Sequence, residues 1–304
     1  MNNKEKNFIS AVVYINSNTD EVLDFFKKVD TVFSSRFENY EYVAINNVCS
    51  SDTIAALKNW ASGISKPLTI INMSIKHSAE ACMNAGIDIA IGDYVYEFDT
   101  TAISYPVEKI YEAYTATLEG NDIVSVCPVN NAGKSSSLFY RLFNSSSRSK
   151  YKLRTEVFRI ITRRAINRVH ASNEYLPYRK AAYAASGLKI KHIEFEGKAA
   201  KDNSDRFSLA IDSLALYTNL GLKIGIGISL FMTVLSLLEI IYTVVIFCTG
   251  QPIEGWTTTM LVVTVGFTGL FVLLTLVIKY LMLVIDLIFR KQKYLVESIE
   301  KIQK

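Results

Sequence analysis

From Phe8 onward, short apolar runs alternate with stretches whose apolar positions recur at helical spacing. Phe8–Ile15 (FISAVVYI), Tyr40–Ile45 (YEYVAI), Leu68–Asn72, Asp93–Phe98 (DYVYEF) and Asp122–Cys127 have the β-branched and aromatic content of strands. Between them, Glu21–Val32, Asp52–Trp60, Ser78–Ala90 and Pro106–Leu118 read as helices, with Asp52 or Ser51 placed to cap the second. This alternation predicts an α/β fold built on a Rossmann-like, mostly parallel sheet. Ligands on such sheets sit beyond the C-terminal ends of the strands. Here those ends are Ile15-Asn16-Ser17-Asn18, Ile45-Asn46-Asn47, Asn72 and Phe98-Asp99-Thr100.

The pattern changes in the last third. Ile224–Phe247 is apolar over 24 residues, broken only by Glu239. Met260–Ile278 carries no charge, and its apolar character continues past Lys279 and Asp286 to Phe289. About 20 helical residues cross a bilayer core, so 224–247 and 258–289 are predicted as two spans. Arg206 and Lys223 flank one end of the pair, and Arg290, Lys291, Lys293 and Lys301 the other, while the connection holds Glu254 and no Lys or Arg. By the positive-inside rule the pair is a hairpin in the cytoplasmic membrane with both termini cytosolic. The N-terminal MNNKEKNFIS does not resemble a signal peptide, which agrees with a cytosolic domain over residues 1–200. Phe207, Ala210, Ile211, Leu214, Tyr217 and Gly221 recur at helical spacing and predict an interfacial amphipathic helix over 201–223. Residues 290–304 read as a cytosolic basic tail. Glu239 and Lys279 stand at poorly matched depths, so each is read as locally solvated and not as one ion pair.

Composition narrows the function classes. Half of the 304 residues are apolar and a fifth charged, which excludes a disordered chain. Four cysteines and three histidines, well separated, exclude a disulfide scaffold and a zinc module and weaken any His-based centre. No GxGxxG follows the first strand and no GxSxG occurs. Ala132-Gly133-Lys134-Ser135 resembles the end of a phosphate-binding loop, but Pro128 stands where the first glycine belongs, so it reads as a flexible loop. Between Arg141 and Arg168 lie nine basic residues against one acid, Glu156. Beside a membrane hairpin, such a patch suits anionic lipid head groups or a lipid phosphate, not nucleic acid.

One segment adds a family resemblance. Asn84-Ala85-Gly86-Ile87-Asp88-Ile89-Ala90-Ile91-Gly92-Asp93-Tyr94-Val95-Tyr96-Glu97-Phe98-Asp99 resembles the helix–turn–strand of family 2 glycosyltransferases of the GT-A fold, ending on the first Asp of a DxD motif. Phe139–Asn144 (FYRLFN), Phe158-Arg159-Ile160 with Arg163-Arg164, and Gly255-Trp256-Thr257 resemble its polyprenyl-phosphate branch, which includes dolichol-phosphate mannose synthase and the bactoprenol glucosyltransferases. The resemblance implies transfer of a hexose from a nucleotide sugar to a membrane polyprenyl phosphate. It implies Asp99 as the catalytic position, a Mg²⁺ or Mn²⁺ ion on Asp99 with Thr101, and a nucleotide held by Asn16, Asn46, Asn47 and Asp99. It also implies a lipid phosphate held by Arg159, Arg163 and Arg164.

The polar positions depart from that pattern. The Glu expected after the first strand is missing from Tyr14-Ile15-Asn16-Ser17-Asn18. The VDDGS carboxylates are amides in Ile45-Asn46-Asn47-Val48-Cys49. The second Asp of DxD is Thr101, the ligand two residues later is Ile103, and the acid before Phe-Arg is Val157. Two readings therefore stand together: a divergent working transferase, or a non-catalytic relative that binds lipid, nucleotide sugar, another copy or an active paralogue.

Overall fold

The computed structural model describes residues 4–15, 17–129, 140–141, 144–145, 151–172, 178–197, 220–250, 253–288 and 296–302. It divides into a sheet domain, Met1–Ser213 with Arg290–Lys304, and a helical unit, Leu214–Phe289.

The sheet domain opens with β1 (Ile9–Ile15), α1 (Thr19–Arg36), β2 (Tyr40–Asn46), α2 (Ser51–Ser62), β3 (Leu68–Met73), α3 (Ala79–Ile89), β4 (Tyr94–Phe98), α4 (Glu108–Leu118) and β5 (Ile123–Pro128). These are the five strands and four helices read from the sequence, with ends moved by a few residues. The cap of α2 is Ser50, whose side chain accepts from the Thr53 amide, and not Ser51 or Asp52. After β5 come β6 (Phe158–Thr162), α5 (Arg163–Ser172), α6 (Arg179–Ala185) and β7 (Ile190–Phe195).

β1, β2, β3 and β4 run parallel, with Ile15 opposite Asn46 and Asn46 opposite Asn72, so their carboxyl ends share one edge. β1 is buried along its whole length, which explains its unbroken apolar run. α1 is capped by Asn18, and its Phe25, Phe26 and Phe33 pack into an aromatic core with Phe98, Tyr42 and Tyr96. The glycines of the 84–99 segment are packing requirements. A Cβ on Gly86 would lie 2.5 Å from Val12 Cγ1, and one on Gly92 would lie 2.6 Å from the Ser10 backbone nitrogen.

The sheet is mixed, in the order β7-β5-β6-β4-β1-β2-β3-β8. β6 lies antiparallel between β4 and β5. The final strand, β8 (Val296–Ile302), pairs antiparallel with β3. The reading of 290–304 as a basic tail is corrected here for these seven residues. Apolar Val296, Ile299 and Ile302 are interleaved with charged side chains, a pattern suited to an edge strand, and Ile302 packs against the core. Glu300 reaches Lys58 at 2.5 Å, and Asn72 donates to Ser298 Oγ at 2.9 Å.

The helical unit holds α7 (Leu220–Thr249) and α8 (Trp256–Ile288), both long and apolar enough to cross a membrane. They pack antiparallel. Ser229 donates to the Phe271 carbonyl and sits 2.5 Å from Thr275 Oγ1, while Gly225 faces Ile278. Among the described residues, no ion pair joins the exposed Glu239 and Lys279. Of the predicted amphipathic helix, 201–219 lies outside the described residues, and 220–223 belongs to the first turn of α7.

Candidate active site

Asp99 follows the last residue of β4, at the shared carboxyl edge. Both of its carboxylate oxygens are engaged. Arg179 Nη2 donates to Oδ1 at 2.5 Å, and Arg159 Nη2 donates to Oδ2 at 2.7 Å. Asp99 keeps 37% of its side chain exposed, whereas Arg159 and Arg179 are 2% and 0% exposed.

Behind Asp99 the two arginines meet further carboxylates. Arg179 donates from Nε to Glu80 at 2.8 Å and from Nη1 to Glu97, a residue with no solvent exposure. Tyr183 donates to the other Glu97 oxygen at 2.6 Å. Arg159 lies 3.4 Å from Glu97 and 3.0 Å from Glu156, and Glu156 also lies 3.3 Å from Lys180. The result is a sealed lattice of three cations and four carboxylates in which Asp99 is the outward member.

The two acids of β4 are pushed in opposite directions. Burial alone would raise the Asp99 carboxyl, but the guanidiniums of Arg179 and Arg159 more than reverse it and hold the group well below the usual range. For Glu97, burial outweighs the same two arginines and raises it. Asp99 is thus ionised at neutral pH and serves as a hydrogen-bond acceptor.

The strand-end amides are spent internally. Asn46 donates to Asn72 at 2.8 Å and accepts from the Cys49 amide. Asn47 is buried; it donates to Tyr14 and to the His77 carbonyl and accepts from the His77 amide. Asn47 is thus committed within the protein, while Asn46 stays half-exposed at the strand end. Asn16 lies outside the described residues.

Nor do the described residues around Asp99 offer a divalent cation a site. Asp99 is committed to two guanidiniums, and Thr101, 1% exposed, donates its hydroxyl to Ser17 at 2.9 Å. Among the described residues, no group of three or more His, Cys, Asp or Glu could hold a metal. The expected Mg²⁺ or Mn²⁺ on Asp99 and Thr101 therefore does not fit the donor set.

The three arginines expected at a lipid phosphate are separated. β6 runs antiparallel to β4, so Arg159 stands opposite Glu97 while Thr162 stands opposite Tyr94. At roughly 3.3 Å per residue, that places Arg163 about 13 Å along the strand from Arg159, at the other end of β4. Arg163 donates to the carbonyls of Ala90 and Gly92 and so clamps the turn before β4. Arg164 pairs with Asp122. Of the remaining basic run, Arg154 is taken by Glu194 at 2.6 Å, and Arg148 and Lys150 lie outside the described residues.

Glu80, Glu97, Glu156 and Arg179 were not singled out from the sequence. A signal existed for one of them: Glu97 interrupts a strand that is otherwise apolar and aromatic.

A mixed sheet of this order, with its polar residues gathered at the carboxyl edge of the parallel strands, is the GT-A fold of the glycosyltransferases. The fold is shared with glucosyl-3-phosphoglycerate synthase of Mycobacterium tuberculosis, solved with Mn²⁺, UDP-glucose and phosphoglyceric acid: TM-score 0.50 at 12% identity, over 69% of this chain and 78% of that one. By sequence the chain is similar to the bactoprenol glucosyl transferase of Shigella phage SfV, 24% identical over 278 residues, 86% of this chain and 88% of the relative. It is also similar to an uncharacterized glycosyltransferase of Synechocystis sp., 22% identical over 241 residues, 75% of each chain. No protein-family model matches. The chain thus has the GT-A fold and is similar in sequence to bactoprenol glucosyl transferases.

Proposed function

We propose that this chain is a membrane-anchored glycosyltransferase that moves a hexose from a nucleotide sugar to a polyprenyl phosphate, undecaprenyl phosphate in a bacterium, during cell-envelope polysaccharide assembly. The observation that carries this reading is the placement of Asp99: half-exposed at the carboxyl edge of the GT-A sheet, with its supporting arginines sealed behind it.

The chemistry is compatible with the loss of other carboxylates. A phosphate acceptor is already an anion, so an oxygen of that phosphate attacks the anomeric carbon without a general base. The new C–O bond forms as the bond to the nucleoside diphosphate breaks, and the bonding electrons leave with the diphosphate. Ionised Asp99 can accept hydrogen bonds from donor hydroxyls and so orient the sugar for attack.

Chain order supports the membrane half of the proposal. α7 and α8 are inserted between β7 and β8 of one sheet, so the chain leaves that domain before the apolar pair and returns to it afterwards. Two crossings, with both termini on the cytosolic side of the cytoplasmic membrane, satisfy that order and the distribution of Lys and Arg.

A specific observation favours a second reading. Each Asp99 oxygen and the side chains of Asn46 and Asn47 already make hydrogen bonds within the protein. A non-catalytic relative that binds lipid, nucleotide sugar, another copy of itself or an active paralogue would have this character.

The deciding experiment incubates the full chain, in lipid vesicles containing undecaprenyl phosphate, with a panel of labelled nucleotide sugars. Label in the organic extract supports the transferase. No transfer across the panel overturns it and supports the second reading, in which an Asp99→Ala strain keeps its normal surface polysaccharide.

A further inference from the structure

The disagreement between the donor set and a cation leads further than the missing acids alone. We infer that Asp99 is the anchor of an arginine pair and not a cation ligand, and that a nucleoside diphosphate reaching this site binds without a divalent metal. The second half of the inference rests on the transferase reading above; the first half rests on geometry alone.

Three observations carry it. Each Asp99 oxygen already accepts from a different guanidinium at hydrogen-bond distance, so any further partner shares that oxygen with a fixed positive charge. Arg179 is itself fixed by hydrogen bonds to Glu80 and Glu97, and Arg159 lies at ion-pair distance from Glu97 and Glu156, although its Nε and Nη1 make no hydrogen bond there. A cation placed on Asp99 would meet both positive charges at close range, in a region where screening by water is weak. The third observation is the neighbour that should have shared the ion. Thr101 is turned inward to Ser17, so its hydroxyl is not presented beside Asp99.

Charge complementarity is then reversed from a metal site. Where a metal would bridge carboxylate and diphosphate, this chain presents one carboxylate already neutralised by fixed arginines. A diphosphate oxygen reaches Arg159 Nη2 or Arg179 Nη2, both buried behind Asp99, only by displacing the Asp99 carboxylate from them. Bidentate guanidinium geometry suits phosphate as well as carboxylate.

The test uses the full chain in detergent, titrated with Mn²⁺ alone while free Mn²⁺ is read by electron paramagnetic resonance. Wild type and Asp99→Asn are expected to give superimposable curves. Loss of a wild-type Mn²⁺ site in Asp99→Asn would overturn the inference. Thermal melting keeps the result interpretable: the anchor role predicts that Asp99→Asn melts lower, by the same amount with Mn²⁺ or with chelator. A melting temperature that Mn²⁺ raises in wild type but not in Asp99→Asn would also overturn it. Neither readout requires turnover, so failure of sugar transfer would sink the functional reading and the metal-free nucleotide site with it, and leave the anchor role of Asp99 standing.

Discussion

Arg179 and Asp99 lie 80 residues apart in the chain and meet at 2.5 Å, joining the first turn of α6 to the end of β4. That contact fixes the outward carboxylate of the candidate site, and it makes α6 part of the site although no local motif marks it. The stability of the domain and the chemistry of its edge therefore share the same side chains.

Arg179→Met tests the sharing. The substitution preserves much of the apolar stem but strips Glu80 and Glu97 of a counter-charge in a buried setting. Breaking one partner of such a network costs about 3–5 kcal/mol. Denaturant unfolding of the sheet domain within the full chain should show that loss; a change within experimental error would mean the lattice contributes little.

The pH dependence has a definite sign. The native Asp99 carboxyl is held below its ordinary value, so its contribution is complete above about pH 4 and is lost as pH falls towards the native value. The melting difference between wild type and Asp99→Asn should hold steady from about pH 7 to about pH 5 and shrink towards about pH 3. Glu97 works with the opposite sign. It is raised by burial, keeps its proton in the native state after the unfolded chain has lost it, and costs stability as pH rises through its native value.

Much of the fold was legible because it depends on local pattern. The unbroken apolar run of β1 and the alternation of strands and helices needed no tertiary knowledge, and the glycines of the 84–99 segment are held to type by contacts with Val12 and Ser10. The site was less legible. Arg159 and Arg163 stand four residues apart on paper, yet the antiparallel course of β6 sends them to opposite ends of β4. Which carboxylate a guanidinium meets is set by chain crossings, not by spacing. β8 was hidden for another reason: its apolar residues Val296, Ile299 and Ile302 recur every three positions, with Glu297, Ser298, Glu300 and Lys301 between them, so no two-residue alternation marks a strand.

Gly92→Ala should be expensive, because the new methyl group meets backbone at Ser10, which cannot rotate away. A cost of about 1–3 kcal/mol is expected from such overpacking. Differential scanning calorimetry or denaturant unfolding checks it, and a neutral result would mean that the turn before β4 relaxes freely.

The β8 edge can be probed without altering Asp99 or its arginines. Glu300→Ala removes a partly exposed ion pair with Lys58 and should cost less than about 1 kcal/mol. Ending the chain before Val296 should instead unprotect β3 in hydrogen exchange, because its outer ladder loses every partner. Unchanged protection in β3 would show that β8 does not hold the edge in solution.

The most direct measurement is a calorimetric titration of the full chain with UDP and, in parallel, with GDP, each in the presence of Mn²⁺ and then of chelator. The account predicts binding of one nucleotide with the same affinity in both conditions, weakened by Arg159→Met. Binding seen only with Mn²⁺ would contradict the arginine-based site, and no binding of either nucleotide in either condition would contradict the transferase itself.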